Sequence, residues 1–245
     1  MTRLALGLIL GLAALPALAE DMTEAEREAL RAEIRAYLLE NPEVLVEAMS
    51  VLQEREDIAA LERDKMLVVS QSDALFVNEN DWVGGNPDGD ITVVEFMDYR
   101  CGYCRKAYDE VDKLIKTDGN IRFVVKEFPI LGEASMLSAQ FAIALRQLHG
   151  DEAYAKAHDA LMTLRGEPTP ETLARLATDL GFEAKPILDR MQAPEVQAVI
   201  AENYALAEQM DITGTPAFVL KDMVMRGYAP LETMQDFVKE ARSDG

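Results

Sequence analysis

Two short apolar segments, separated by a stretch as long as one helix, constrain the fold of this chain more than any other feature. Residues 91–97 (ITVVEFM) and 121–128 (IRFVVKEF) are nearly continuous apolar runs, which is typical of strands buried on both faces of a sheet. The residues between them favour a helix to about Lys116. A strand–helix–strand unit prefers a right-handed crossover between parallel strands, so the sequence predicts an α/β fold.

Helical sequence precedes and follows this unit. Residues 23–72 are rich in Glu, Arg, Ala and Leu and are broken at Asn41-Pro42, which predicts two helices. Residues 133–209 predict a long helical insertion, and residues 230–241 predict a final helix. The remaining predicted elements are short: a strand at 74–77, a turn at 84–90, and strands at 217–220 and 223–226.

The only two cysteines, Cys101 and Cys104, follow the first of these strands directly. Helix positions three apart lie on one face, and the partial positive charge of a helix N-terminus stabilises a thiolate. The pair is therefore suited to a dithiol redox centre. Half of a zinc site, a copper clamp and a static disulfide are alternative interpretations of this spacing. His149 and His158 are not at metal-ligand spacing from the cysteines, and we expect surface or packing roles for both.

The first 19 residues have the composition of a secretory signal peptide. Arg3 precedes an apolar run, and Ala17-Leu18-Ala19 matches a cleavage site, so the mature chain is expected to begin at Glu20. An exported chain with one CxxC pair is not a scaffold stapled by disulfides, which leaves the pair free to cycle. The formal net charge of −20 argues against nucleic-acid and anionic-membrane partners.

Three motifs together resemble the thioredoxin superfamily, and within it the bacterial DsbA-like disulfide oxidoreductases. The motifs are VVEFMDYRCGYC, VVKEF and the loop Gly214-Thr215-Pro216-Ala217-Phe218. The resemblance implies a thioredoxin-like α/β fold over residues 74–245, with the helical insertion at 133–209, preceded by an α-helical segment at 20–73. That segment resembles the leading helices of ScsC-like proteins, some of which oligomerise through it.

The resemblance also implies roles for residues around the cysteines. Cys101 is expected to be the exposed nucleophile and Cys104 the less accessible resolving thiol, with their disulfide as the redox-active group and no bound cofactor or metal. Glu95, inside an apolar strand, is expected to be buried as a proton acceptor for Cys104, and Lys126 is expected to pair with Glu95. An edge strand that turns Glu95 to water and a solvated Lys126 are the alternatives.

The pair Thr215-Pro216 matches the loop that holds the family's cis-proline, which faces the two sulfurs. The backbone of Thr215 is expected to pair with an extended substrate, and Gly102 and Tyr103 are expected to contact the substrate as well. Thr in front of this proline resembles isomerases and ScsC-like proteins more than the oxidase DsbA, which has Val. The loop therefore favours isomerisation over pure oxidation.

These inferences favour a periplasmic thiol–disulfide oxidoreductase that acts on protein substrates with cysteines, with isomerisation or reduction preferred. A mixed disulfide would form at Cys101 and be resolved by Cys104. The alternatives are a DsbA-type dithiol oxidase and, in another class, a periplasmic copper-binding protein that uses both thiolates. The expected partners are a DsbD-like or DsbB-like membrane redox protein and further copies of the chain, bound through the N-terminal helices.

Overall fold

The computed structural model describes residues 22–243, so the expected signal peptide lies outside the described residues. The chain divides into two compact units between Glu56 and Asp57. The first unit contains helix α1 (Glu24–Glu40) and the beginning of helix α2 (Glu43–Ser70), and the second unit begins with the rest of α2. No helix within the described range combines the length and the hydrophobicity that a membrane crossing needs.

Helices α1 and α2 confirm the two helices predicted for residues 23–72. A capping box begins α1, since the Thr23 hydroxyl accepts from the Glu26 backbone N–H (3.3 Å) and the Glu26 carboxylate accepts from the Thr23 N–H (2.8 Å). The helix ends at Asn41, whose side-chain amide donates to the Tyr37 carbonyl (3.0 Å). No residue of α1 is buried, so local hydrogen bonds define where this helix begins and ends.

A five-stranded mixed sheet forms the centre of the second unit. The strands are β1 (Trp82–Gly85), β2 (Ile91–Met97), β3 (Ile121–Glu127), β4 (Ala217–Leu220) and β5 (Met223–Arg226). Their order across the sheet is β1-β3-β2-β4-β5, with β2 and β3 parallel and the other pairs antiparallel. Strands β2 to β5 lie where the sequence predicts them, and the predicted parallel pair is confirmed.

The helices after α2 pack around this sheet. They are α3 (Ser72–Phe76), α4 (Gly102–Asp118), α5 (Glu133–His149), α6 (Asp151–Thr163), α7 (Pro170–Asp179), α8 (Ala184–Met191), α9 (Pro194–Gln209) and α10 (Leu231–Ser243). Helix α4 connects β2 to β3, and α5 to α9 form the predicted insertion between β3 and β4. The predicted α/β architecture, with a helical insertion and a leading helical segment, is therefore confirmed.

Both faces of the sheet are buried, which explains the nearly continuous apolar runs of β2 and β3. Side chains alternate along a strand, so Val93 and Phe123 point into one core while Val94 and Val124 point into another. The first core includes residues of α4, among them Cys104, and residues of the insertion. The end of α9 packs in the second core through Leu206 and Ala207, so the cysteines share their side of the sheet with most of the insertion and not with all of it.

One of the short predicted elements is wrong, and another is confirmed only in part, by a turn at residues 87–88. Residues 74–77 are not a strand, because α3 continues through most of them and buries Leu75 in the second core. Residues 84–90 are not a turn throughout, because Gly84 belongs to β1. A Cβ added to Gly84 would lie 2.4 Å from the Trp82 ring, so this glycine permits close packing within the strand.

The structural division at Glu56 differs from the predicted domain boundary at residue 73. The physical reason is that the last turns of α2 pack on the sheet domain, where Val68 is buried in the second core and Asp64 is also buried. Helix-forming composition continues through this point without a break, so the sequence does not mark where the helix begins to pack.

Candidate active site

Cys101 lies at the N-terminus of α4, as predicted. It is the N-cap residue, with an extended backbone (φ −71°, ψ 119°) and no capping hydrogen bond from its side chain. Its N–H donates to the carbonyl of Asp98 (3.0 Å), and its carbonyl accepts from the N–H of Arg105 (3.1 Å). The sulfur therefore lies at the positive end of the helix, where unpaired N–H groups favour a negative charge.

The two cysteines, both free thiols, differ in exposure. Cys104 is fully buried in the first turn of α4, whereas 7% of Cys101 is exposed. This order agrees with the prediction, although Cys101 is more covered than an exposed nucleophile was expected to be. Burial, followed by the charge of Glu95, raises the pKa of the Cys104 thiol. Cys104 is therefore a thiol that needs a base before it can react.

Thr215 contacts the sulfur of Cys101, because its carbonyl accepts from the Cys101 thiol (3.2 Å). Its side chain also acts on Cys104, where it partly opposes the rise of that thiol's pKa. The Thr215–Pro216 peptide bond is cis, as predicted. The loop before β4 therefore meets the dithiol through Thr215.

Glu95 is buried in the sheet, on the face that carries the first core. Strand β2 lies between β3 and β4, so the alternative of an edge strand that turns Glu95 to water is wrong. The residue is 4% exposed, and burial raises the pKa of its carboxyl to about 8. It lines a cavity of about 240 Å³ together with Trp82, Tyr108 and His158. A buried carboxyl whose charge acts on Cys104 therefore borders a cavity.

The prediction that Lys126 pairs with Glu95 is wrong. Lys126 is opposite Phe96 in the register of β3 and β2, so it points to the face of the sheet away from Glu95. There it is fully buried, forms an ion pair with Asp81 and donates to the carbonyl of Ala74 (2.6 Å). The alternative of a solvated lysine is wrong as well. The contacts of Lys126 join β3 to the chain that precedes β1, on the far side of the sheet from the cysteines.

Asp98, which the sequence analysis did not single out, fixes the chain in front of Cys101. It is 1% exposed, and its carboxylate accepts from the N–H groups of Arg100 (2.7 Å) and Leu131 (3.0 Å). The one signal in the sequence is a charged residue directly after a buried strand. Asp98 therefore holds the loop after β2 and the loop after β3 together beside the dithiol.

Arg105 attaches the first turn of α4 to the insertion. Its Nε donates to the carbonyl of Tyr99 (2.7 Å), and its other nitrogens donate to the carbonyls of Leu164 (2.8 Å) and Leu161 (3.2 Å). These last two carbonyls are at the end of α6, where a cation is favourable. The insertion thus helps to orient the helix that begins at the cysteines.

A second buried acid, Glu127, ends β3. Its carboxyl oxygen Oε1 accepts from the hydroxyls of Tyr99 (2.8 Å) and Tyr154 (2.6 Å), and burial raises its pKa to about 8. The Tyr99 hydroxyl is also 3.1 Å from Nδ1 of His158, whose pKa burial lowers to about 4. His158 thus has the packing role predicted for it. The cluster fixes Tyr99, two residues before Cys101, and its members are too far apart in sequence to form a recognisable motif.

The two residues between the cysteines form an open surface. A Cβ added to Gly102 would have no atom within 4 Å, and Tyr103 is 63% exposed. The ring of Tyr103 lies 6.3 Å from the ring of Tyr228, and the Lys106 ammonium lies 3.9 Å from the Tyr228 ring centre. The exposed ring of Tyr103, between the two cysteines in sequence, therefore lies beside the ring of Tyr228.

No group of three or more His, Cys, Asp or Glu side chains within residues 22–243 is arranged to hold a metal ion. The cysteine pair alone supplies two sulfur ligands, whereas structural zinc sites need four ligands. Within the described part of the chain, no second set of ligands is present that would complete a zinc site with the two cysteines.

Two family models match the chain. The model described as DSBA-like thioredoxin domain matches residues 92–239, and the model described as copper resistance protein ScsC N-terminal domain matches residues 26–57. The first match runs from β2 into α10, and the second covers most of α1 and the beginning of α2. The resemblance inferred from the three sequence motifs is confirmed.

Solved structures share the fold. A thioredoxin-like oxidoreductase from Silicibacter pomeroyi DSS-3 is 43% identical with a TM-score of 0.65, and the alignment covers 70% of this chain and 97% of that chain. ScsC from Proteus mirabilis, in a transitional conformation, is 23% identical with a TM-score of 0.68, covering 91% of this chain and all of that chain. The second likeness is one of fold, and together they confirm a thioredoxin-like fold.

The chain spans about a quarter of the length of several curated relatives that it matches. One is Na(+)/H(+) antiporter NhaA 1 from Salinispora arenicola, which is 28% identical over 164 residues, or 66% of this chain and 25% of the antiporter. The similarity therefore concerns one portion of that protein.

Proposed function

The chain belongs to the family of DSBA-like thioredoxin domains, which are thiol–disulfide oxidoreductases, and we propose that it acts in the periplasm mainly as a disulfide isomerase or reductase. Its substrates are proteins with cysteines, and its redox group is the Cys101–Cys104 pair, without a further cofactor. The observation that carries the proposal is that the carbonyl of Thr215, the residue before a cis-proline, accepts from the Cys101 thiol beside a fully buried Cys104. Such a site combines an attacking thiol, a resolving thiol and a backbone edge for an extended substrate.

The reaction begins at Cys101. Its thiolate attacks one sulfur of a substrate disulfide, forms a mixed disulfide and releases the other substrate sulfur as a thiolate. In isomerisation, a substrate thiolate then attacks the mixed disulfide, so the substrate leaves with a different pairing and no net electrons move. In reduction, Cys104 attacks instead. The substrate then leaves with two thiols, and the enzyme, having given up two electrons, keeps a Cys101–Cys104 disulfide.

Glu95 serves the reductive route as the proton acceptor for Cys104. The buried thiol must lose its proton before it attacks, and burial makes that loss unfavourable. A carboxyl with a pKa of about 8 is matched to exchange protons near neutral pH. The cavity that Glu95 lines gives its proton a route to water.

Turnover in either direction needs a partner that exchanges two electrons with the cysteine pair. A reductase regains its dithiol from a DsbD-like membrane protein, whereas an oxidase regains its disulfide by passing two electrons to a DsbB-like protein. The signal-like composition of residues 1–19 supports export of the chain to the compartment in which such partners act.

Refolding of one substrate protein from two starting states tests the direction of the reaction. In one arm, the mature chain in its dithiol form is added to a scrambled, fully oxidised substrate. In the other arm, the mature chain in its disulfide form is added to the same substrate after reduction. We expect the larger acceleration for the scrambled substrate. A larger acceleration for the reduced substrate would favour a DsbA-type oxidase, and no acceleration of either would contradict an enzyme.

Thr215→Val is expected to slow the attack of Cys104 on a mixed disulfide by about threefold to tenfold, the value of one hydrogen bond. Valine keeps the shape and the backbone carbonyl but lacks the hydroxyl that stabilises the Cys104 thiolate. Rapid-mixing measurement of glutathione release from a mixed disulfide at Cys101 gives this rate. Thr213→Val, at an exposed position of the same loop, is the matched control. Equal rates in Thr215→Val and the parent would leave Thr215 as a spacer and remove the main support for isomerisation.

An apolar face of α1 supports a homo-oligomer. Leu30, Ile34 and Tyr37 follow one another at spacings of four and three residues, so they share one face of the helix. They are 48%, 50% and 54% exposed. A second copy of the chain, which presents the same face, is the partner that we propose for it.

Ile34→Glu is expected to convert the mature protein from an oligomer to a monomer, because an unpaired charge buried between apolar helices is strongly unfavourable. Light scattering at micromolar concentration measures the mass. Glu33→Gln changes the adjacent position, which faces another direction, and is expected to keep the parent mass. A monomeric parent at that concentration would contradict the oligomer.

Copper binding is the second candidate function, favoured by the match of residues 26–57 to a copper resistance family. Two thiolates within one helical turn can clamp Cu(I), a soft ion that prefers sulfur ligands. Dialysis of the parent and of Cys104→Ser against Cu(I), followed by metal analysis, tests this function. Stoichiometric copper that the variant loses, in a protein without disulfide exchange, would favour the binding protein over the enzyme.

A further inference from the structure

We propose that Asp64 and Arg226 position the Thr215–Pro216 loop against Cys101, so that the last turns of α2 belong to the machinery that sets the reactivity of this thiol. The inference rests on the proposed function, in which Cys101 is the attacking thiol. Asp64 and Arg226 act through the loop, so they are positioning residues and not catalytic ones.

The two residues form a bidentate ion pair between α2 and β5. Nη1 of Arg226 donates to Oδ2 of Asp64 (2.7 Å), and Nη2 donates to Oδ1 (2.9 Å). Asp64 is 6% exposed although it belongs to a helix whose neighbouring positions are largely exposed. Two parallel charge-assisted hydrogen bonds fix the plane of the guanidinium group more strictly than one bond would. Asp64 therefore determines where the Arg226 side chain lies.

Arg226 also holds the chain that leads into the loop. Its Nη2 donates to the carbonyl of Met210 (3.2 Å), and its Nε donates to the carbonyl of Asp211 (3.3 Å). Helix α9 ends at this point, and residues 212–214 separate these carbonyls from Thr215. The guanidinium group thus joins α2, the end of α9 and β5 beside the entrance to the loop.

The backbone near Arg226 holds the loop from its other end. Arg226 is opposite Ala217 in the pairing of β5 with β4, and the N–H of Gly227 donates to the carbonyl of Pro216 (2.8 Å). Thr215, the residue before this proline, carries the carbonyl that accepts a hydrogen bond from the Cys101 thiol. A short series of contacts therefore connects the ion pair with the attacking sulfur.

Loss of the ion pair is expected to make Cys101 more reactive. The Thr215 carbonyl accepts a hydrogen bond from the thiol, whereas a carbonyl oxygen repels a thiolate. Thr215 of the loop also lies against the sulfur, and Cys101 is only 7% exposed. When the loop moves away, the carbonyl oxygen no longer lies against the sulfur and the sulfur is more accessible, so both changes raise the rate of reaction.

Alkylation of the reduced mature protein with iodoacetamide at neutral pH tests the inference on the parent, Asp64→Asn and Arg226→Lys. Asn keeps the shape of Asp64, and Lys keeps the charge of Arg226, but neither variant forms the bidentate ion pair. We expect alkylation of Cys101 to become about threefold to tenfold faster in both variants, the value of one hydrogen bond, while Cys104 stays unreactive.

The control is Asp222→Asn, which breaks the more exposed ion pair with Lys65 (3.1 Å), one position along α2 from Asp64. This variant is expected to react like the parent. Asp64→Glu keeps the carboxylate and is expected to lie between the parent and Asp64→Asn, and it serves in place of Asp64→Asn if that variant does not fold.

An unchanged rate at Cys101 in folded Asp64→Asn and Arg226→Lys would overturn the inference. An equal gain at Cys104 would overturn it too, because that result reports general loosening of the fold. These outcomes leave the proposed function intact when the parent exchanges disulfides, whereas a parent that exchanges none fails the proposed function itself.

Discussion

Cys101→Ser is expected to abolish disulfide exchange, whereas Cys104→Ser is expected to retain the first step and to accumulate mixed disulfides with substrates. Cys101 lies at the N-terminus of α4 and is 7% exposed, and its hydroxyl replacement is a far weaker nucleophile. Cys104 is fully buried, so it reaches only a sulfur already joined to Cys101. Removal of Cys104 therefore blocks the resolution of the mixed disulfide and spares its formation.

Non-reducing electrophoresis and mass spectrometry of conjugates, formed with a scrambled substrate, measure both variants in one experiment. The double variant Cys101→Ser/Cys104→Ser is the control and is expected to form no conjugate. If Cys101→Ser accumulates conjugates in the amounts expected for Cys104→Ser, the assigned roles of the two cysteines are reversed. Thermal unfolding of each variant shows that loss of exchange does not come from loss of the fold.

Glu95→Gln is expected to stabilise the reduced protein by up to about 4 to 5 kcal/mol above pH 8, and by little near pH 4. Burial raises the pKa of the Glu95 carboxyl from its ordinary 4.5 to about 8. Between these values the folded state binds a proton that the unfolded state has lost, so stability falls as the pH rises from about 4.5 to about 8. Glutamine has no charge to bury, so this loss disappears in the variant.

The comparison of Glu95→Gln with the parent isolates one group among several that titrate. Glu127, with a pKa raised to about 8, contributes a similar loss toward high pH. His158, with a pKa lowered to about 4, contributes a loss as the pH falls below its ordinary 6.5. Both groups are present in the parent and in the variant, so their contributions cancel in the difference.

Urea unfolding of the reduced parent and of Glu95→Gln, at about pH 5 and about pH 9, measures this difference. The variant is also expected to resolve mixed disulfides more slowly, because Cys104 loses its proton acceptor. A difference in unfolding free energy that is the same at both pH values would contradict a buried, titrating Glu95. Unchanged resolution would remove Glu95 from the reaction while leaving its burial in place.

The central strands and the dithiol helix can be predicted because their signals are local. Continuous apolar runs mark β2 and β3, and the cysteine spacing marks the start of α4. Strand β1 is not predicted because it contains Gly84, and glycine in a sequence usually indicates a turn. In the structure this glycine leaves space for the Trp82 ring. Helix α3 was predicted as a strand because four apolar residues in a row fit either structure.

Some of the site residues can likewise be predicted from local sequence signals, and others cannot. The positions of Cys101, Cys104 and Thr215 follow from motifs, and the burial of Glu95 follows from its place inside an apolar strand. The partner of Lys126 does not follow, since the alternation of side chains across two paired strands decides which face each acid and base occupies. Asp64 is unpredictable for a related reason, because its partner Arg226 lies 162 residues away.

That Cys101 attacks and Cys104 resolves is tested most directly by locating the first sulfur to bond with glutathione. The reduced mature protein is mixed with oxidised glutathione, quenched with acid at increasing times and mapped by peptide mass spectrometry. Glutathione is expected on Cys101 at the earliest times, followed by the Cys101–Cys104 disulfide as glutathione leaves. Glutathione that appears first on Cys104, or a protein that never forms the disulfide, would contradict this assignment.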